Sequence, residues 1–287
     1  MKAIYKKELL TYFVSPLGYV FMGLFLLTTG FFFATGNLFT RSPEYASFFS
    51  SVIMVFLFSA PILTMRLLSE EKNQKTDQLL LTAPVPVWQI VTGKFLAAFT
   101  VFALTLLATV VYAVIIEIHG SLPLWETVGS YVGFLLLGGC YIAVGTFISA
   151  VTENQITAGL VTFFAILFFI LIDSIANALP ADATAGAVFA VLLIGALGFY
   201  LYSTTRNPLL AAAVLLVGIL AIGIGYGIEK SLFERLIQKV LGWFSINKRY
   251  QEFGLGIFNV TSIVYYLSFI TFFLFITTHA LEKRRWS

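Results

Sequence analysis

Long apolar segments with no charged residue away from their ends dominate the sequence. A helix that crosses the ~30 Å hydrocarbon core of a bilayer needs about 20 mostly apolar residues, because its backbone must satisfy its own hydrogen bonds where water is absent. Eight segments meet this requirement: Leu17–Gly36, Phe48–Met65, Phe95–Ile116, Thr127–Ala150, Ile156–Ile172, Ala185–Ser203, Pro208–Gly227 and Ile257–Ala280. The sequence therefore predicts an all-α, polytopic integral membrane helix bundle of about eight transmembrane helices.

Composition excludes the other broad classes. Hydrophobic residues make up 59% of the chain and charged residues 11%, whereas soluble domains average roughly 45–50% and 25%. A soluble globule, a disordered chain and a nucleic-acid-binding domain are thereby excluded. One Cys and two widely separated His residues predict neither a disulfide framework nor a metal site.

The sixth and seventh segments leave an alternative open because they are rich in Gly and Ala. Residues 185–227 form either two full spans or a re-entrant hairpin, which would leave six full spans. Both versions contain an even number of crossings. Both termini therefore lie on the same side of the membrane in either case.

The Lys and Arg residues predict the orientation, since cytoplasmic loops carry an excess of both. A cytoplasmic N-terminus places eleven of these residues inside and six outside, five of the six in the connection 228–256. The expected location is the cell membrane, with both termini cytoplasmic. Lys94 borders the predicted third span and is expected to extend its ammonium to the interface. Without a charged residue inside a span, an ion-coupled site has no obvious candidate.

Two amphipathic stretches flank the bundle. Residues 1–16 predict a helix in the cytoplasmic headgroup region, with Tyr5, Leu9 and Tyr12 on one face. Residues 228–256 predict an external amphipathic segment with a helix over Glu229–Phe244. This second helix is either a linker resting on lipid or a lid or docking surface.

The cytoplasmic loop 66–88, which joins the second and third spans, contains three consecutive leucines in a charged sequence. Thr76 or Asp77 can cap a short helix over Gln78–Ala83, and Pro84 ends it. A helix of fewer than two turns is unstable alone in water. We expect Leu79–Leu81 to dock into another protein, although the leucines could instead fold back under the third span. Pro61, in the second span, is a predicted flex point because it removes one backbone hydrogen bond.

The run from Glu70 to Val85 resembles the coupling-helix loop of ABC-2-type ABC transporter permeases, and within them the gliding-motility GldF-type branch. Its position between the second and third spans agrees with that family. The last span, with Phe258–Tyr266 near its start and Leu281–Trp286 at its end, is similar as well. The resemblance covers nearly the whole chain in layout and is sharp in these two segments. The extra helix pair departs from the six-span pattern of the family.

The resemblance implies a single permease domain, residues 1–287, that is not itself an enzyme. It implies two copies of an ABC ATPase subunit, a second permease that is identical or related, and an external-domain partner as an open option, all in contact with membrane lipid. ATP and Mg would be bound by the partner ATPase, since no G-x-x-x-x-G-K-[ST] phosphate loop occurs in this sequence. The predicted ATPase-coupling residues are Glu70, Glu71, Lys75, Thr76, Asp77, Gln78, Leu79, Leu80, Leu81 and Thr82, with Pro61 as hinge.

Three functions remain open from the sequence. The first is an ATP-driven ABC-2 permease, an exporter by resemblance. The second is an ATP-independent secondary transporter or channel, which would move substrate in liposomes without a partner. The third is a membrane assembly subunit of an ABC-type machine that transports nothing.

Overall fold

In a computed structural model the structure describes residues 1–40, 45–76 and 84–285, and every element in those ranges is helical. Within these ranges, eight helices are long and apolar enough to cross a membrane, which confirms the predicted all-α polytopic bundle. They are Pro16–Leu38, Phe48–Asn73, Val87–His119, Leu124–Val151, Gln155–Ala178, Ala183–Thr205, Pro208–Ile228 and Val260–Arg285.

The first three of these long helices are divided into shorter elements. After α1 (Lys2–Val14), α2 (Pro16–Phe33) continues as a π-helix over Ala34–Leu38. The second comprises α3 (Tyr45–Val52), a 3₁₀ turn, α4 (Phe56–Thr64) and α5 (Ser69–Asn73). The third comprises α6 (Val87–Ala108) and α7 (Val110–His119), so it begins well before the predicted Phe95.

The remaining long helices are continuous, and they include both members of the extra helix pair. They are α8 (Leu124–Val151), α9 (Gln155–Ala178), α10 (Ala183–Thr205), α11 (Pro208–Ile228) and α14 (Val260–Arg285). Arg206, with φ 51°, ends α10, and the Asn207 side chain caps α11. Helices of 23 and 21 residues are about 34 and 31 Å long. Each is long enough for a full span.

The segment between α11 and α14 differs from the one amphipathic helix predicted over Glu229–Phe244. A 3₁₀ turn over Lys230–Phe233 is followed by Arg235 with φ 55°, and α12 (Leu236–Phe244) begins only there. A further short helix, α13 (Ile246–Gly254), follows. The left-handed conformation at Arg235 interrupts the helix, because consecutive helical residues require negative φ.

The chain divides into two compact units, residues 1–170 with 246–287, and residues 171–245. In the smaller unit, α10 and α11 pack against each other, with Gly198 against Leu215 and Gly218 against Ile194. The backbone nitrogen of Arg235 donates to the carbonyl oxygen of Ala181 at 3.0 Å. This bond joins the start of α12 to the connection between α9 and α10.

In the larger unit, α8 is the central helix and contacts α3, α4, α6, α13 and α14. Its small residues admit large neighbours: a Cβ at Gly138 would collide with the ring of Phe102, and one at Gly145 would collide with the Thr64 side chain. The rings of Phe56 and Phe134 contact each other in the same core, with centroids 4.8 Å apart and planes tilted by 31°. Close approach of this kind holds helices together in a membrane, because apolar side chains gain no free energy by leaving lipid for the protein interior.

Helix α13 runs antiparallel to α8, alongside its stretch from Gly129 to Tyr141. Its last turn lies against Gly129 and Gly133 through Phe253, and its first turn reaches Tyr141, whose hydroxyl lies 2.8 Å from Asn247 Oδ1. Tyr250 and Phe253 are almost fully buried. The sequence analysis did not predict this helix.

We expect Gly129→Ala to destabilise the protein by about 1–3 kcal/mol, because the added methyl group would meet the Phe253 carbonyl oxygen and push α13 away from α8. Gly23→Ala is the matched control, since no atom lies within 4 Å of a Cβ there. That control should be stabilising by roughly 0.5–1 kcal/mol, the usual gain for Gly to Ala inside a helix. Unfolding of both variants in detergent measures the difference, and equal shifts would contradict the assigned packing.

Candidate functional site

The predicted coupling residues fall on both sides of a boundary in the structure. Glu70, Glu71, Lys75 and Thr76 lie in the described ranges, whereas Asp77, Gln78, Leu79, Leu80, Leu81 and Thr82 lie outside the described residues. The short helix over Gln78–Ala83 therefore stays a prediction. The site can be built from α5, the element that leads into this segment.

A hydroxyl from the central helix caps the start of α5. Ser149 Oγ, near the end of α8, accepts hydrogen bonds from the backbone nitrogens of Leu68 and Ser69 at 3.0 and 3.1 Å. It also lies 3.3 Å from the carbonyl oxygen of Met65, to which it donates. The first N–H groups of a helix have no partner within the helix. Ser149 supplies that partner from another element, and so joins α5 to α8.

A buried lysine joins α5 to two further helices. Lys94 Nζ, on α6, lies 2.9 Å from Glu8 Oε1 on α1 and 2.9 Å from Glu71 Oε1 on α5. The Lys94 side chain is 2% exposed, and those of Glu8 and Glu71 are 13% and 17% exposed. The expectation that Lys94 extends to the interface is wrong. Because α6 begins at Val87, Lys94 lies in its second turn, where α1 and α5 cover it.

Helix α1 forms a second connection to this region. The Tyr12 hydroxyl donates to the carbonyl oxygen of Leu63 at 2.6 Å. That carbonyl lies where α4 ends, because the backbone nitrogen of Leu67 bonds instead to Thr64. Burial, reinforced by the Glu8 carboxylate, raises the pKa of Tyr12 above its ordinary value, so the hydroxyl remains a donor.

Glu70 has a different partner from its neighbour Glu71. Arg66 Nε lies 2.7 Å from Glu70 Oε2, and Arg66 Nη2 lies 2.5 Å from Glu70 Oε1. This two-pronged pair bridges the turn between α4 and α5. The two adjacent carboxylates therefore hold α5 in two directions, one toward α4 and the other toward α1 and α6.

Lys75 and Thr76 end α5 rather than continuing it. Lys75 has φ 58°, its nitrogen bonds to the Lys72 carbonyl oxygen at 3.1 Å, and the Thr76 nitrogen bonds to that of Glu71 at 2.9 Å. These two bonds form a Schellman motif, which satisfies carbonyl groups at a helix C-terminus. The chain thus leaves α5 in a fixed direction. A cap at Thr76 for a following helix stays a prediction.

Pro61 lies inside α4 and is buried. It has no N–H to donate to the carbonyl of Leu57, one turn earlier, whereas the bond from the Met65 nitrogen to the Pro61 carbonyl is present at 2.8 Å. The 3₁₀ turn over Ile53–Val55 precedes it. Its position between this irregular turn and α5 is compatible with bending, and the hinge role stays a prediction.

A protein-family model described as ABC-2 family transporter protein matches residues 33–184, more than half of the chain. The chain belongs to this ABC-2 family. No curated protein matches it. The family assignment confirms the resemblance at the level of the ABC-2 permeases and makes the chain a multi-pass membrane component of a transporter. Nothing in it distinguishes the GldF-type branch.

The ABC-2 match includes Glu71, Lys94 and Ser149, but Glu8 on α1 lies before it. The sequence analysis missed Glu8, Lys94 and Ser149 as parts of the site. The only available signal was a lysine within an otherwise apolar run. It was missed because the start of the span was placed after Lys94 instead of at Val87.

We expect Lys94→Met to destabilise the protein by about 3–5 kcal/mol, because Glu8 and Glu71 would then share a covered position without a cation. The free energy of unfolding in detergent measures this loss. Lys7→Met, at an exposed position of α1, is the matched control and should change it little. The triple variant Glu8→Gln/Glu71→Gln/Lys94→Met should recover much of the loss. No recovery would mean that Lys94 acts through packing and not through its charge.

Proposed function

We propose that this chain is the permease subunit of an ATP-driven ABC-2 transporter, and that α5 transmits movement from a separate ATPase into the membrane helices. One observation carries the proposal. The helix that leads into the predicted coupling segment is fixed to α1 and α6 by Lys94 and to α8 by Ser149. A loop without a mechanical role would have no need for ionic and hydrogen-bonded links to three helices.

The mechanism follows from these links. Closure of two ATPase subunits on ATP would displace the segment 77–83, and the displacement would reach α5 through the fixed exit at Lys75 and Thr76. Glu71 would pass it to α6 and α1, and the Ser149 cap would pass it to α8. Pro61 would let α4 bend while α5 moves with the bundle. Rigid-body movement of two paired permeases would then alternate access to a path between them.

The assembly and direction belong to the same proposal. Two ATPase copies would hold ATP and Mg, since this sequence has no phosphate loop. A second permease, identical or related, would complete the path, and an external-domain partner could join it. Export, cytoplasmic termini, the plasma membrane and the GldF-type branch are supported by resemblance and by the distribution of Lys and Arg.

The alternative of an ion-coupled secondary transporter now has one observation in its favour, a buried lysine within an apolar helix. Lys94, however, pairs with carboxylates from α1, which precedes the first span, and from α5, the last segment of the second long helix. A coupling site in a secondary transporter is expected near the bilayer midplane, at broken helices. The position of Lys94 favours a mechanical role.

We expect Leu79–Leu81→Glu to prevent association with the ATPase subunit while leaving membrane insertion intact. The substituted segment would carry charge into the apolar cleft that its leucines are proposed to fill. The measurement is the amount of ATPase recovered with the tagged chain from native membranes. Leu79–Leu81→Met is the matched control and should retain the ATPase, because Leu and Met have similar volumes. Normal recovery with the Glu variant would remove the segment from the coupling role.

We expect Pro61→Ala to retain the ATPase but to lower the rate of ATP hydrolysis by the assembled complex severalfold. The restored N–H can bond to the Leu57 carbonyl and stiffen α4, and such a bond contributes about 1 kcal/mol. Pro208→Ala is the control, because Pro208 occupies the first turn of α11, where no helical hydrogen bond is lost. Equal hydrolysis rates in both variants would exclude Pro61 as the hinge.

A further inference from the structure

Helix α1 presents two different faces. The amphipathic face predicted from the sequence, with Tyr5, Leu9 and Tyr12, packs against the protein. The Tyr5 hydroxyl lies 3.0 Å from Thr100 Oγ1 on α6, Leu9 packs at the edge of the core, and the Tyr12 hydroxyl donates to the Leu63 carbonyl oxygen on α4. This inner face is therefore covered by other helices and does not contact the bilayer.

The outer face of α1 carries an exposed apolar strip between lysines. Leu10 and Val14 are 54% and 83% exposed, and Ala3 is exposed as well. At about 100° per residue, these three positions fall within about 40° of one another around the helix, with Lys6 on one side and Lys7 on the other. Lysine side chains beside an apolar strip extend toward polar surroundings while the strip itself is buried.

The charge on the outer face is positive and is not balanced within α1. Lys2, Lys6 and Lys7 are exposed, whereas Glu8, the one acidic residue of this helix, lies on the inner face and pairs with Lys94. Within the described ranges of the chain, none of the three lysine ammonium groups has an ion-pair or hydrogen-bonding partner. The outer face of α1 thus carries three positive charges and no negative one.

The connection between α1 and α2 places the outer face at the membrane surface. Only Ser15 separates the two helices, and a Cβ at Gly18 would meet the Tyr12 carbonyl oxygen, so the two helices are in close contact there. The long helix Pro16–Leu38 has 23 residues and is about 34 Å long, close to the ~30 Å thickness of the hydrocarbon. Its first residues, and α1 beside them, therefore lie at the level of the lipid headgroups.

Contacts at both ends of α1 show that it lies across the bundle. Near its start, the Ile4 side chain lies 3.3 Å from where a Cβ at Gly93 would be, in the second turn of α6. Near its end, Tyr12 bonds to Leu63, in the last turn of α4. A helix held at both ends in this way presents its opposite face to the surroundings along its whole length.

We propose that the outer face of α1 binds the surface of an anionic membrane, with the apolar strip at the level of the first acyl carbons and the three lysines against lipid phosphates. Amphipathic helices with basic clusters bind anionic lipid in general, and the apolar area that they bury adds to the attraction between charges. On the inner face, Glu8 connects α1 to Lys94. The bilayer would thereby also hold the ion group that fixes α5.

The test uses the full-length chain with a fluorophore attached at Leu10→Cys, because the native Cys140 is buried. The labelled chain is placed in nanodiscs that contain a lipid with a nitroxide quencher near its headgroup. Quenching should be about twofold stronger in phosphatidylglycerol mixed with phosphatidylcholine than in phosphatidylcholine alone. Adding Lys6→Gln/Lys7→Gln should reduce it to the phosphatidylcholine level.

The matched control is Lys230→Gln/Lys239→Gln, which removes the same charge from exposed positions outside α1. Quenching at Leu10→Cys should be unchanged in this control. An equal loss in the control would show that net charge, and not the outer face of α1, is responsible.

Three further results would overturn the proposal. Equal quenching in the two lipids would show that anionic lipid is not recognised, and no quenching in either would show that the outer face does not contact the bilayer. Loss of quenching on addition of the ATPase would identify a protein docking surface. Should Leu10→Cys fail to fold, the exposed Ala3→Cys provides a second labelling position. The lipid comparison is made without the ATPase, so its failure would leave the proposed coupling untouched.

Discussion

Close backbone approach to α8 is the constraint on which the larger unit depends. Apolar side chains gain no free energy by leaving lipid for one another, so helix packing in a membrane relies on contact at short range. Gly129 and Gly133 admit α13, Gly138 admits the ring of Phe102, and Gly145 admits α4 through Thr64. The same helix ends with Ser149, which caps α5. Helix α8 thus positions both the helices that pack against it and the candidate coupling site at α5.

The ion group formed by Lys94, Glu8 and Glu71 restricts how the helices can be arranged within this packing. Burying a lysine and two carboxylates is costly, and replacing such a group by apolar residues is often neutral or stabilising. The role of this ion group is therefore better explained by the positions that it imposes on the helices than by a gain in the free energy of unfolding. Lys94 fixes the relative positions of α1, α5 and α6, of which α1 is distant in sequence from the other two. An apolar contact would allow these helices to slide, whereas paired charges permit few arrangements.

The sequence predicted the spans well because each depends on a local property, a run of apolar residues about 20 long. Features that depend on contacts between residues distant in sequence could not be predicted in this way. The burial of Lys94 could not be predicted, because its carboxylate partners come from two other helices, α1 and α5, of which α1 is distant in sequence. The start of α6 at Val87, earlier than the predicted Phe95, also places Lys94 inside the helix and not at its border. Helix α13 was missed because its burial depends on glycines of α8, more than a hundred residues earlier. The left-handed conformation of Arg235 could not be predicted from its residue type, since arginine has no preference for that conformation.

Two neighbouring residues of α5, Glu71 and Lys72, connect it to different helices of the candidate site. Glu71 faces Lys94 and the helices α1 and α6, whereas Lys72 reaches the carbonyl oxygen of Ala150 at the end of α8. Successive residues on a helix are separated by about 100°, so they are suited to hold it from different sides. A short helix held in this way cannot rotate about its axis without breaking a charged contact. It can move only together with the helices that hold it, which is the property required of an element that carries force into the bundle.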